Sequence, residues 1–147
     1  MVIGAACLAV ALAAAGCGGH TVTKKDVVAR ANGICITALH SMREVPPPAG
    51  TAGLADYLAK VLPIVEKEAK DTEALPRPAQ GRAVLDRYVT AVSATATEYR
   101  QLATAARNGD GAAVSHGLAT LRASPAPALA ARYGLTRCNA SAGTGVS

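Results

Sequence analysis

Apolar and small residues return in steps of three and four at Val28, Ala31, Cys35, Ala38 and Met42. That spacing places them on one face of a helix. Thr23 is positioned as its N-cap, and Asp26 three residues on gives the acidic first turn that the helix dipole favours. Asn32-Gly33 would read as a turn in isolation, and a glycine inside a helix costs about 1 kcal/mol. The period continues through it, so one helix is expected, with Gly33 a place where another backbone can come close. Pro46-Pro47-Pro48 ends the helix and stiffens the connection.

A second helix carries Leu54, Leu58, Val61, Val65, Thr72 and Leu75 on one stripe, with Glu66, Lys67, Glu68, Lys70 and Asp71 mostly elsewhere. Glu66 with Lys70 and Lys67 with Asp71 are i,i+4 pairs, so this charge run reads as a solvated face. Pro63 lies inside the segment and is expected to kink it; Pro76 and Pro78 close it. The third segment, from about residue 79 to 108, has the most regular pattern: Leu85, Val89, Val92, Ala96, Tyr99, Ala103 and Ala106, alternating four and three. This is the seam of a helical bundle. Its flank of Thr90, Ser93, Thr95 and Thr97 reads as small solvated residues. Asn108-Gly109-Asp110-Gly111 supplies a stop and an acidic cap, and a fourth helix follows to about Ser124 on Val114, Leu118 and Leu121. Pro125 and Pro127 break it, leaving a last turn at 128–133 that Gly134 closes. The expected fold is all-α: an antiparallel four-helix bundle, the last helix broken by prolines, closed by one disulfide.

The N-terminus is of another kind. Val2 to Ala15 are uncharged and almost wholly apolar, and the first charged side chain of the chain is Lys24. Fourteen residues are too few to span a bilayer. They suit the apolar region of a secretory signal, and they lead into Ala14-Ala15-Gly16-Cys17. This run resembles a bacterial lipoprotein signal peptide, in which small residues precede the thiol that receives diacylglycerol and cleavage leaves the acylated cysteine first in the mature chain. The resemblance implies lipidation at Cys17. The position three before the cysteine is Ala14, where the family favours Leu, and no Lys or Arg precedes the apolar run. The alternative is an ordinary cleaved secretory signal with Cys17 as a spare thiol. Cys7 is discarded on either reading.

The domain then keeps Cys35 and Cys138, and an exported pair favours a disulfide. Closing a loop of about 100 residues is worth up to about 4 to 5 kcal/mol in the chain-entropy model. The rival, a metal site, has too few ligands, since two thiolates without His-x-Cys or Cys-x-x-Cys spacing do not make structural zinc.

Composition narrows the function classes. The chain has 147 residues, half of them hydrophobic, with four Tyr, no Phe and no Trp. A core of Ala, Val and Leu suits helices packed along their length, and the shortage of rings removes base-stacking platforms and aromatic cages. Fifteen Lys and Arg against ten Asp and Glu give +5, with no basic run longer than Lys24-Lys25. Nucleic-acid binding asks for a denser footprint, so none is expected.

Motifs of chemistry are missing. The positions three before His40 and His116 are Thr37 and Ala113, which excludes the Glu-x-x-His of a di-iron bundle. His-Glu-x-x-His, Gly-x-Ser-x-Gly and a phosphate-cradling glycine loop do not occur, and one Asp among glycines at 108–111 is no calcium loop. His20, His40 and His116 read as exposed polar residues. Glu66, Glu68, Asp71 and Glu73 on one charged helix without sugar-stacking rings read as solubility groups. No enzyme, metal or cofactor is expected.

The order of features resembles a loosely defined group of small exported proteins and lipoproteins from actinobacteria. The matching pieces are the lipoprotein signal, Ala31-Asn32-Gly33-Ile34-Cys35, Tyr57-Leu58-Ala59-Lys60-Val61-Leu62-Pro63-Ile64 and Tyr133-Gly134-Leu135-Thr136-Arg137-Cys138. The resemblance spans nearly the whole mature chain and supports the architecture and the paired cysteines. The group has no assigned activity, so nothing of mechanism follows. The double proline at Pro125 and Pro127 departs from the unbroken last helix of that pattern.

The expected organisation is a signal peptide at 1–16, a lipidated tether at 17–23, a bundle domain at 24–138 and a disordered tail at 139–147. The expected function is a non-catalytic lipoprotein on the extracytoplasmic face of the cell membrane, a scaffold or interaction module facing an envelope protein partner. Its acyl anchor sits in membrane lipid, with Lys24, Lys25 and Arg30 nearest the headgroups. The alternative is a carrier holding a small apolar ligand between helices.

Overall fold

The computed structural model describes residues 21–139. Cys7, Cys17, His20, the signal segment and most of the tether and tail lie outside the described residues. Those described form α1 (Lys24–Arg43), a short 3-10 turn (Thr51–Gly53), α2 (Leu54–Glu73), α3 (Arg82–Arg107), α4 (Gly111–Arg122) and α5 (Ala126–Tyr133), with no strand among them. The all-helical expectation holds, and the count becomes four long helices plus a short fifth.

The start of α1 is a reciprocal capping box. The Thr23 hydroxyl accepts from Asp26 N at 3.3 Å, while Asp26 Oδ2 accepts from Thr23 N at 2.9 Å. The helix runs unbroken through Asn32-Gly33, as the period implies, and buries Val27, Ala31, Cys35 and Ala38. Gly33 does not serve a close approach: a Cβ there would meet nothing within 4 Å. The α2 stripe is buried as expected, with Ala69 added, and the helix is continuous through Pro63, which faces solvent.

Helix α3 is the element against which three of the other helices pack. Its seam of Leu85, Val89, Val92, Ala96 and Ala103 is buried, with Tyr99 and Ala106 partly so. A second face, unexpected from the pattern, is buried too: Tyr88, Ala91, Leu102 and Ala105. The helix can bury both because α2, α4 and α5 all pack against it, whereas α1 packs on α2. The core accordingly divides. A larger part joins α1, α2, α3 and α5 around Val27, Val65, Leu85 and Tyr133; a smaller part joins α2 and α3 through Leu54, Leu58, Leu102 and Ala103, with Val114, Leu118 and Leu121 of α4 half-buried over it.

At the end of the chain the prolines act differently from expectation. Pro125 is the N-cap of α5 and Pro127 lies in its first turn, where a missing N–H has no intrahelical partner to lose. They start a helix of two turns, Ala126–Tyr133, in place of a single closing turn. Gly134 ends it in the left-handed conformation, φ 99°, as expected. The chain then turns back over α1: Arg137 N donates to Asn32 Oδ1 at 3.0 Å, and Cys138 meets Cys35 at a disulfide-bonding S–S distance of 2.05 Å.

Candidate functional site

A half-open cleft of about 190 Å³ lies between α1 and α2. Ile34, Thr37, Ala38 and Ser41 line it from α1; Pro63, Ile64, Lys67, Glu68 and Asp71 line it from α2. Both walls follow from helical spacing, since residues three and four apart stack on one face. The Thr37 hydroxyl turns back to donate to Gly33 O at 3.0 Å, and Lys67 Nζ donates to Asp71 Oδ2 at 2.5 Å. The two charges of that pair offset one another within α2.

Glu68 is different. Its carboxyl is half-buried against the apolar walls, and burial pushes its pKa from 4.5 up to about 7, because low-dielectric surroundings disfavour the charged form. No hydrogen bond or ion pair from a described residue reaches it. Its charge is felt across the core: burial first, then Glu68, raises the Tyr88 phenol, and burial, Tyr57 and Glu68 in that order raise Tyr99. Tyr88 Oη in turn lies 3.7 Å from Cys35 Sγ and donates toward it, since a bridged sulfur carries no proton. The phenol and the cysteine pair thus meet between α1 and α3, within electrostatic reach of Glu68.

The remaining acidic residues of α2 are surface groups, but not all with the partners expected. Glu66 pairs with Arg100 of α3, whose Nε and Nη2 reach Oε1 at 3.0 and 2.7 Å, and no pair with Lys70 forms. Glu73 Oε1 accepts from Ser93 at 2.6 Å. The solvated-face reading is therefore corrected at Glu68 alone. A signal was present: Val61, Val65, Glu68 and Thr72 alternate four, three, four, which sets Glu68 at the edge of the buried stripe.

The basic residues nearest the expected anchor are dispersed around α1. Lys24 Nζ sits 4.9 Å from the centroid of the buried Tyr133 ring, a cation-π contact, while Lys25 and Arg30 are exposed. The Tyr133 hydroxyl is buried without a partner among the described residues, and its pKa is raised by burial against an opposing pull from Arg77. His40 lies 3.4 Å from Glu44 on the exposed end of α1, and His116 is exposed on α4. Among the described residues no three His, Cys, Asp or Glu gather as metal ligands, and no helix is long and apolar enough to cross a membrane.

Comparison with protein-family models, curated proteins and solved structures gives no match for this chain.

Proposed function

We propose that this protein is an exported lipoprotein, held on the extracytoplasmic face of the cell membrane by acyl chains on Cys17 and acting there as a non-catalytic scaffold or interaction module. The observation that carries the reading is the pairing of Cys35 with Cys138 at bonding distance. Such pairs persist in oxidising compartments and are rare in reducing ones, and the apolar run ending in Ala15-Gly16-Cys17 is the route to such a compartment. In this reading α1 to α4 form an antiparallel four-helix bundle, since the connections between them are short and neighbours in sequence pack together.

Anchoring also sets orientation. Gly18 to Thr23 reach at most about 20 Å when extended, and α1 begins at Lys24, so the N-terminal end of α1 sits at the membrane. Lys25 and Arg30 lie nearest the headgroups, each worth about 1 kcal/mol near an anionic surface; Lys24 rests over the Tyr133 ring. The opposite end of the bundle then faces an envelope protein partner on every molecule. The carrier reading stands second, because the α1–α2 cleft is smaller than the roughly 300 to 1,000 Å³ of ordinary small-molecule sites.

The test is phase partition. The natural protein is expected in the detergent phase, and Cys17→Ser is expected to leave that phase or to remain unprocessed at the mass of the precursor. A processed Cys17→Ser protein still in the detergent phase would overturn the lipoprotein reading.

A further inference from the structure

We propose that the cleft between α1 and α2 binds a small alkylammonium cation, with Glu68 receiving the charge and Ile34, Ala38 and Ile64 receiving the alkyl group. Charge in the cleft is not balanced within the described residues. Two carboxylates line it, and one of them, Asp71, is already matched by Lys67 at 2.5 Å. Glu68 is the acid left over, half-buried, with no described residue bonded to it.

A carboxylate set among apolar side chains loses part of its hydration, and no bond from a described residue replaces that part. A cation brought against it restores a partner, and the attraction is stronger there than in open water. An anion of the same size meets two carboxylates and is repelled. The walls on the α1 side are apolar or hydroxyl-bearing and carry no titratable group, so they suit an alkyl chain. Ser41 offers an acceptor for a second N–H. The volume, about 190 Å³, suits a short amine.

Binding of this kind is linked to protons. The titratable groups around Glu68 are Lys67 and Asp71 of α2 and the phenols Tyr88 and Tyr99 of α3, the phenols being neutral at ordinary pH and held more firmly so by burial. Glu68 is then the group that changes charge between pH 5.5 and 8, and the ammonium binds the ionised form.

The experiment is calorimetric titration of the full-length protein with n-butylammonium chloride, with n-butanol and sodium butyrate as controls. Saturable binding is expected at pH 8, weaker by about tenfold or more at pH 5.5 and by about tenfold or more in Glu68→Gln at pH 8, with neither control binding. No saturation in the natural protein, equal binding of butanol, or Glu68→Gln affinity within about threefold of the natural protein would overturn the proposal. A second readout does not depend on the variant: the NMR titration midpoint of the Glu68 carboxyl carbon must move to lower pH under saturating butylammonium, and an unmoved midpoint overturns the proposal equally. None of these results bears on the detergent partition of Cys17→Ser, so the anchoring reading stands or falls separately.

Discussion

Gly117 of α4 lies directly against Leu102 of α3, and a Cβ at position 117 would stand 3.3 Å from Leu102 Cδ1 and 3.6 Å from its Cβ. That contact seats α4 over the smaller part of the core. Leu102 is 2 % exposed, while Val114, Leu118 and Leu121 on α4 are only half-buried. The glycine, the one buried residue of α4, sets how near the two helices come.

Gly33 and Gly117 should respond oppositely to substitution, although both are helical. Gly33→Ala is expected to stabilise by about 0.5 to 1 kcal/mol, since a Cβ there meets nothing and the unfolded chain loses freedom. Gly117→Val is expected to cost about 1 to 3 kcal/mol through overpacking against Leu102. Urea unfolding of both variants checks the pair, and a Gly117→Val protein as stable as the natural one would show that α4 is not seated by this contact.

What the sequence made legible was each single-faced helix. Leu58, Val61 and Val65 on α2 declare one buried stripe because their neighbours are charged, and the Thr23–Asp26 box declares where α1 begins. The second buried face of α3 was hidden because Ala91 and Ala105 weigh little in any pattern and Tyr88 reads as amphipathic. Gly117 was hidden for a stronger reason: a residue without a side chain cannot mark a contact by hydropathy. Pro125 and Pro127 look alike as terminators or initiators until the chain after them is seen to turn helical. Of the cleft, the sequence held Ile34 and Ile64 at helical spacing and Glu68 at the edge of a stripe. Their meeting depends on how α1 lies on α2, which no local period encodes.

The join between Cys35 and Cys138 ties α1 to the segment after α5 across a separation of 103 residues. Beside it, Arg137 N donates to Asn32 Oδ1, and Leu135 is buried in the same core as Val27 and Ala31. Replacing both cysteines by Ala is expected to cost about 3 to 5 kcal/mol. The unreduced natural protein should also have a mass two hydrogens below the dithiol and no reactive thiol in this domain. Thermal unfolding of the double variant and mass analysis after alkylation check both, and two alkylated cysteines before reduction would refute the bond.

Glu68 should make stability fall as the pH rises. Its carboxyl is raised from 4.5 to about 7 in the folded protein. Below about pH 4.5 it is protonated in folded and unfolded chains alike and takes nothing from stability. Between pH 4.5 and 7 the unfolded chain ionises while the fold keeps the proton, so stability declines through that window; above pH 7 both are ionised and the loss is constant. Its size is on the order of 2 kcal/mol, water at the half-open cleft screening part of the burial cost. Glu68→Gln keeps the shape and removes the titration, so it should be the more stable protein at pH 8 and nearly equal to the natural one at pH 4.5. Taking the difference between the two proteins cancels the titration of Glu66, Asp71 and the other surface acids. Urea unfolding of both at several pH values measures it, and a difference that stays flat from pH 4.5 to 8 would place the Glu68 carboxyl in water.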